Sequence, residues 1–140
     1  MSHHTMDKGY VGVTKVVADL TVRGYTVLLP MYEQMPFDLV VYRNGQFHRV
    51  QVKYRTINAR ASVEVAFKAT SVYTSGKKYS KPWNKDEIDL LAIYCPETDA
   101  CYYLDPKEFG KSVSLRVRTA GNGQRRGVNL AEDYRDPPLS

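Results

Sequence analysis

Cysteine is scarce in this chain, and its scarcity excludes two classes of small protein. Cys95 and Cys101 are the only two. They flank residues 96–100 and can face each other across a hairpin. Without a second Cys/His pair at ligand spacing they build no zinc site, and His3, His4 and His48 do not complete one. In a reducing compartment both read as small core residues rather than a disulfide. Long apolar runs are missing too. None approaches the roughly 20 residues that span a bilayer, and the start carries no signal-peptide pattern. The expectation is a cytoplasmic protein with no membrane partner. Acidic residues are absent from one long stretch: residues 68–85 hold five lysines and no Asp or Glu. From Lys107 to Arg126, six basic residues stand against Glu108 alone.

What is present suits a single globular domain. With 140 residues and 43% apolar content, the chain can bury a core of its own. A formal net charge of +5 points toward a polyanionic partner. Tyr73, Tyr79 and Trp83 are interleaved with the lysine run. Cations for phosphates and flat rings for bases form the usual footprint of nucleic-acid binding. A solvated loop that only keeps the protein soluble has a similar composition, so charge alone leaves both readings open.

Residues 1–6 read as a flexible lead. Asp7 caps a helix expected over residues 8–23 and stopped by Gly24. Val13, Val16, Val17 and Leu20 form its apolar stripe. A short strand, residues 26–29, ends at Pro30. Residues 62–67 alternate like a strand, and residues 70–85 read as a long polar loop or arm. Residues 88–94 are almost continuously apolar and read as a central strand, with residues 101–104 returning antiparallel to it. Residues 105–109 resemble a helical turn, residues 112–117 a further strand, and residues 129–135 a short helix. This order predicts an α/β or α+β fold with a mixed sheet. The spans are a core over residues 7–118, a basic arm about 68–85, and a basic C-terminal extension over 119–140.

The most informative segment is a hairpin. Residues 36–43 and 46–55 are β-rich runs joined by Asn44-Gly45, and a type I′ turn needs positive φ at both positions. Paired residue numbers then sum to 89. Asp38 falls opposite Gln51, with Cβ atoms roughly 5 Å apart. Gln51 and Lys53 share its face because side chains alternate with period two. Leu39, Val41, Val50 and Val52 point to the opposite face, into the core.

This cluster suits metal-assisted phosphodiester hydrolysis. Mg²⁺ takes hard oxygen ligands and keeps several waters. Asp38 supplies a carboxylate, Gln51 an amide oxygen, and Val52 a backbone carbonyl. Lys53 can orient an attacking water or neutralise charge on a scissile phosphate. The same residue types also occur on solvated strand faces with no chemical role, and geometry alone does not separate the two cases.

Pro36-Phe37-Asp38, followed by Gln51-Val52-Lys53, resembles the motif of the PD-(D/E)XK nucleases, with Gln at the D/E position. The resemblance extends to Lys8-Gly9, Gly24-Tyr25 and residues 89–105, which look similar to group I intron-encoded homing endonucleases of that fold. It implies a restriction-endonuclease-like domain, a central mixed sheet flanked by helices. It also implies cleavage of double-stranded DNA with Mg²⁺ (Mn²⁺ substituting), and a homo-oligomer, dimer or tetramer, presenting two sites to the duplex. Its Asp and Gln positions fall on Asp38 and Gln51, and its Lys on Lys53. Its acidic position in the first helix falls on Val13, which binds no metal. Asp7 or Glu64 are the carboxylates that could replace it. A DNA-binding protein with a weakened or lost site is therefore one alternative, and a structure-selective nuclease of the junction-resolvase type another. For DNA contact, Lys77, Lys78, Lys81, Arg125 and Arg126 are the candidates beside phosphates, and Tyr79 is a further DNA-binding candidate. Arg49 and Arg55, as neighbours of the catalytic face, are candidates for reading bases.

Overall fold

The computed structural model describes residues 7–118 and 127–139. One α-helix, α1 (Lys8–Val22), opens it. Asp7 caps the helix, its Oδ1 accepting from the Gly9 N–H at 3.0 Å. The helix ends before Gly24, whose φ of +94° suits glycine. Five strands then form the central sheet: β1 (Thr26–Leu28), β2 (Leu39–Arg43), β3 (Gln46–Tyr54), β7 (Leu90–Cys95) and β8 (Ala100–Leu104), in the order β1-β2-β3-β7-β8. All pairs are antiparallel except β3–β7, so the sheet is mixed, as expected.

The hairpin register is the one expected, Leu39 facing Val50 and Arg43 facing Gln46. Asn44 and Gly45 have φ of 54° and 80°, the positive values that a two-residue turn of this kind requires. Alternation then divides β3. Val50 and Val52 join Leu39, Val41, Val16 and Leu20 in the core beneath α1. Gly12 of α1 lies flat on this strand, so that a Cβ there would meet Val52 Cγ1 and the Tyr54 Cβ at 3.5 Å, ordinary van der Waals contact.

The opposite face is covered differently from the expectation of flanking helices. Among the described residues α1 is the sole α-helix. The second face is closed by a two-stranded sheet of β4 (Ser62–Ala66) and β9 (Ser112–Arg116). Val63, Val65, Val113 and Leu115 pack there against Leu91 and Ile93 of β7. A 3-10 turn over Pro106–Glu108 and another over Ala131–Tyr134 fill the rim, with Ala131 buried in this second core.

Two expectations are corrected. Residues 70–85 are not a loop: β5 (Lys68–Val72) and β6 (Lys78–Pro82) make a separate antiparallel ribbon that pairs with no other strand of the described chain. The polar sequence hid it because neither face of the ribbon is buried. Cys95 and Cys101 do not face each other. Cys95 pairs with Ala100 and Cys101 with Tyr94, so the two thiols lie on opposite faces of the sheet, each free and buried in a different core. The flexible lead over residues 1–6 lies outside the described residues, as do Arg125 and Arg126.

Leu20 is fully buried between α1 and the sheet that carries β3. Leu20→Ala is expected to lower unfolding stability by about 2–5 kcal/mol, read as a shift in the urea midpoint with the slope unchanged.

Candidate active site

The β2–β3 ladder ends at Leu39, and Asp38 completes it by other means. The Asp38 N–H donates to the Val50 carbonyl at 2.9 Å. Its carboxylate Oδ2 then accepts the Val52 N–H at 2.8 Å. The two bonds bracket Gln51, so Asp38 lies across from Gln51 as expected, through its side chain and without a further ladder pair. Odd residues of β3 turn their backbone toward β7: the Arg49 carbonyl accepts from Asp89, and the Arg55 N–H donates to Tyr94. Even residues turn toward β2. In extended chain the carbonyl points the same way as the N–H of its residue, so the Val52 carbonyl faces the gap beside Asp38.

A cavity of about 430 Å³ opens at this gap. Asp7, Gly9, Tyr10, Val13, Leu29, Asp38, Gln51, Val52 and Lys53 line it. All the expected catalytic residues are therefore together. Val13 is there too, partly buried against the first core. Of its two candidate replacements, Asp7 lines the cavity and Glu64 does not. Glu64 is held on β4 by Arg60 Nη2 and Asn58 Nδ2, each at 2.8 Å. A depression of about 480 Å³ on the exposed sheet face is lined by Thr26, Leu28, Tyr42, Gly45 and Phe47. Its ionisable side chain is the Tyr42 phenol alone, so the smaller cavity, with Asp7, Asp38 and Lys53 on its lining, is the candidate.

Burial is the main influence on both ionisable groups. It pushes Asp38 above its usual carboxylate range, against the Val52 N–H bond and the nearby Lys53 charge, which pull it down. It pushes Lys53 below its ordinary value, helped by the like charge of Arg55 and opposed by Asp38. The Lys53 ammonium also lies 5.6 Å from the Trp83 ring centroid, a favourable cation–π position.

The remaining candidates sit elsewhere. Arg49 is clamped by Asp89, with Nε–Oδ2 at 2.9 Å and Nη2–Oδ1 at 3.0 Å. Asp89 Oδ2 also accepts the Arg49 backbone N–H at 2.8 Å. This pair holds Asp89 below its ordinary value and ties β3 to the start of β7. Arg55 is half-buried, its Nε donating to the Glu64 carbonyl at 3.0 Å and Nη1 to that of Tyr54 at 2.9 Å. Lys78, Tyr79 and Lys81 lie on β6, and Lys77 precedes it. Sequence reasoning missed Asp89 and Trp83 as partners of site residues. Both contacts depend on pairings distant in sequence, and no local signal marked them.

The donor set fits a hard divalent cation. Asp38 Oδ1, the Gln51 amide oxygen and the Val52 carbonyl are oxygen donors of the kind Mg²⁺ takes, with substrate and water oxygens completing the set. Among the described residues no group of three His, Cys, Asp or Glu side chains is arranged to cage a metal by itself.

Comparisons with known proteins show the family and the fold. The profile of the PD-(D/E)XK endonuclease family matches residues 3–137. Protein 5.3 of Escherichia phage T7 is 30% identical over 106 residues, 76% of this chain and 86% of that protein. A solved bacterial homing endonuclease, I-Ssp6803I, superposes with a TM-score of 0.73 at 19% identity, covering 95% of this chain and 89% of the other. At that identity the likeness is one of fold.

Asp38→Asn is expected to raise the melting temperature at neutral pH, since it keeps an acceptor for the Val52 N–H and removes a buried charge. A carboxyl whose folded pKa is raised binds its proton more tightly when folded. Its penalty is absent below the unfolded pKa and complete above the raised folded one. Thermal melts should therefore show the two proteins nearly equal in strong acid and diverging as pH rises through that window. A constant difference at all pH values would contradict the electrostatic account.

Proposed function

Because the chain belongs to the PD-(D/E)XK endonuclease family, we propose that it is a site-specific, homing-type endonuclease that hydrolyses phosphodiester bonds of duplex DNA with Mg²⁺, Mn²⁺ substituting. The observation that carries this reading is the convergence of Asp38, Gln51, Val52 and Lys53 on one cavity, where the strand pair parts. Asp38, Gln51 and the Val52 carbonyl would hold the cation. When bound, such a cation neutralises phosphate charge and acidifies water.

The chain's own residues account for the remainder. The Val52 N–H fixes the Asp38 carboxylate through Oδ2, leaving Oδ1 outside that bond, on a residue that lines the cavity. Lys53 Nζ, held over Trp83, brings a positive charge to the side of the cavity where a phosphate would lie. Its lowered proton affinity eases donation to, or exchange with, a water oxygen. One such cluster serves one strand, so cutting both strands of a duplex calls for two copies. This supports a homo-oligomer, dimer or tetramer. The lysines of the β5–β6 ribbon, Lys77, Lys78 and Lys81, supply phosphate contacts, and Arg125 and Arg126 are further candidates for the same role.

A second reading is favoured by Val13. An apolar side chain lines the cavity where the family resemblance calls for a carboxylate, and a protein that binds DNA without cutting it would follow.

The test is cleavage of a duplex library with Mg²⁺ or Mn²⁺. Asp38→Ala and Lys53→Ala are each expected to slow cutting by about 10²-fold or more, with folding checked by thermal melts. Variants that cut as fast as the unaltered chain would end the assignment. The second reading predicts no cutting by the unaltered chain and a gain of nicking in Val13→Glu, whereas strong cutting by the unaltered chain removes it.

A further inference from the structure

The β5–β6 ribbon is the one part of the described fold with both faces exposed. Every residue of its two strands is exposed, and an isolated two-stranded ribbon is marginal in water without something to pack against. It carries Lys68, Lys77, Lys78 and Lys81 with no carboxylate between residues 68 and 85. Its occupant should therefore be anionic.

The base of the ribbon sets its direction. The Trp83 N–H donates to the Phe67 carbonyl at 3.0 Å, and their rings stack at 5.3 Å. The register Ala69–Lys81, Ser71–Tyr79 continues from this pair. The Tyr73 N–H extends it by donating to the Lys77 carbonyl at 2.8 Å. Period two then places Ser71, Tyr79, Lys77 and Lys81 on the same face as Trp83, whose ring meets Lys53. Thr70, Ser80 and Lys78 occupy the other face. One face of the ribbon thus continues outward from the side of the cavity. It has a hydroxyl pair at its centre and a lysine toward each end.

We propose that this ribbon enters the major groove of duplex DNA with the Ser71–Tyr79 face toward the base edges, Lys77 and Lys81 reaching the flanking phosphates. The proposal rests on the DNA-nuclease reading and adds to it the element that discriminates sequence. The dimensions agree. Two strands about 4.8 Å apart and five residues, about 17 Å, long fit a groove about 12 Å wide, which admits a two-stranded ribbon. Ser and Tyr hydroxyls both donate and accept, so they can address either purine or pyrimidine edges.

The experiment uses the full chain and a duplex selected from a randomised pool, with binding measured in EDTA so that no cutting is needed. Methylation of guanine N7, in the major groove, is expected to block binding at a patch beside the cleavage position, and methylation of adenine N3, in the minor groove, is not. Ser71→Ala and Tyr79→Phe should relax base preference at that patch by about tenfold and leave the salt dependence unchanged. Lys77→Ala and Lys81→Ala should weaken binding to all sequences and each lower the salt slope by about 1. Thr70→Ala and Ser80→Ala, on the other face, should change nothing. Absence of N7 interference overturns the proposal, as does a pool that yields no enriched duplex, or a loss of preference in the Thr70 and Ser80 variants equal to that in the others. The nuclease reading fails separately: a chain that shows N7 interference but cuts nothing in Mg²⁺ or Mn²⁺ keeps the ribbon and loses the nuclease, and cutting that depends on Asp38 without N7 interference does the reverse.

Discussion

The hydrogen bond from the Val52 N–H to Asp38 Oδ2 does two things that are usually done by separate groups. An extended strand must satisfy its backbone N–H groups, and a strand that parts from its neighbour leaves one unpaired. Here the carboxylate takes the place of the missing ladder carbonyl. β2 can therefore leave the sheet at Asp38 while β3 runs on to Tyr54. The parting of the strands is what makes the cavity. The same bond fixes the carboxylate that the cavity needs, with one oxygen committed and the other available. Desolvation raises the Asp38 pKa, and the N–H donor limits the rise.

The precision of the other site residues comes from the core beneath them. Val50 and Val52 are buried under α1, so Gln51 and Lys53, alternating with them, have no freedom to shift along the sheet. A slip of one residue would send both valines to solvent and both polar residues into the apolar core. The Arg49–Asp89 clamp fixes the same strand laterally against β7. Lys53 is confined further by Trp83 on one side and the like charge of Arg55 on another. The site is thus an outcome of packing, not an addition to it.

Much of this was legible in the sequence because it is local. Asn44-Gly45 set the turn, the turn set the register, and period two set which side chains meet; none of these needs tertiary information. Helix α1 was legible for the same reason, from Asp7, its apolar spacing and Gly24. The parallel pairing of β3 with β7 was not, since the residues concerned are 40 apart in the register Val50–Leu90. Asp89 was therefore invisible as the partner of Arg49. The ribbon was missed because strand patterns are recognised by one buried face, and it has none. Cys95 and Cys101 show the limit at the finest scale. Their hairpin was read correctly, but the turn over residues 96–99 places them one position out of register, and one position in a strand is the whole thickness of the sheet.

Val13 changes how the cavity binds charge more than whether it can. With valine at that position, the carboxylates lining the cavity are Asp38 and Asp7. Asp7 already uses one oxygen on the Gly9 and Tyr10 N–H groups of α1, where the positive end of the helix dipole favours it. Asp38 resists ionisation because it is desolvated, and Lys53 adds a positive charge nearby. Such a cavity has little net negative potential to attract a free divalent cation. It also has little to repel a phosphodiester. If the site works as proposed, oxygens of the substrate would have to complete the coordination shell, and cation and DNA would reinforce each other's binding. On that reading, affinity for the cation measured without DNA would understate what the site holds with the duplex in place.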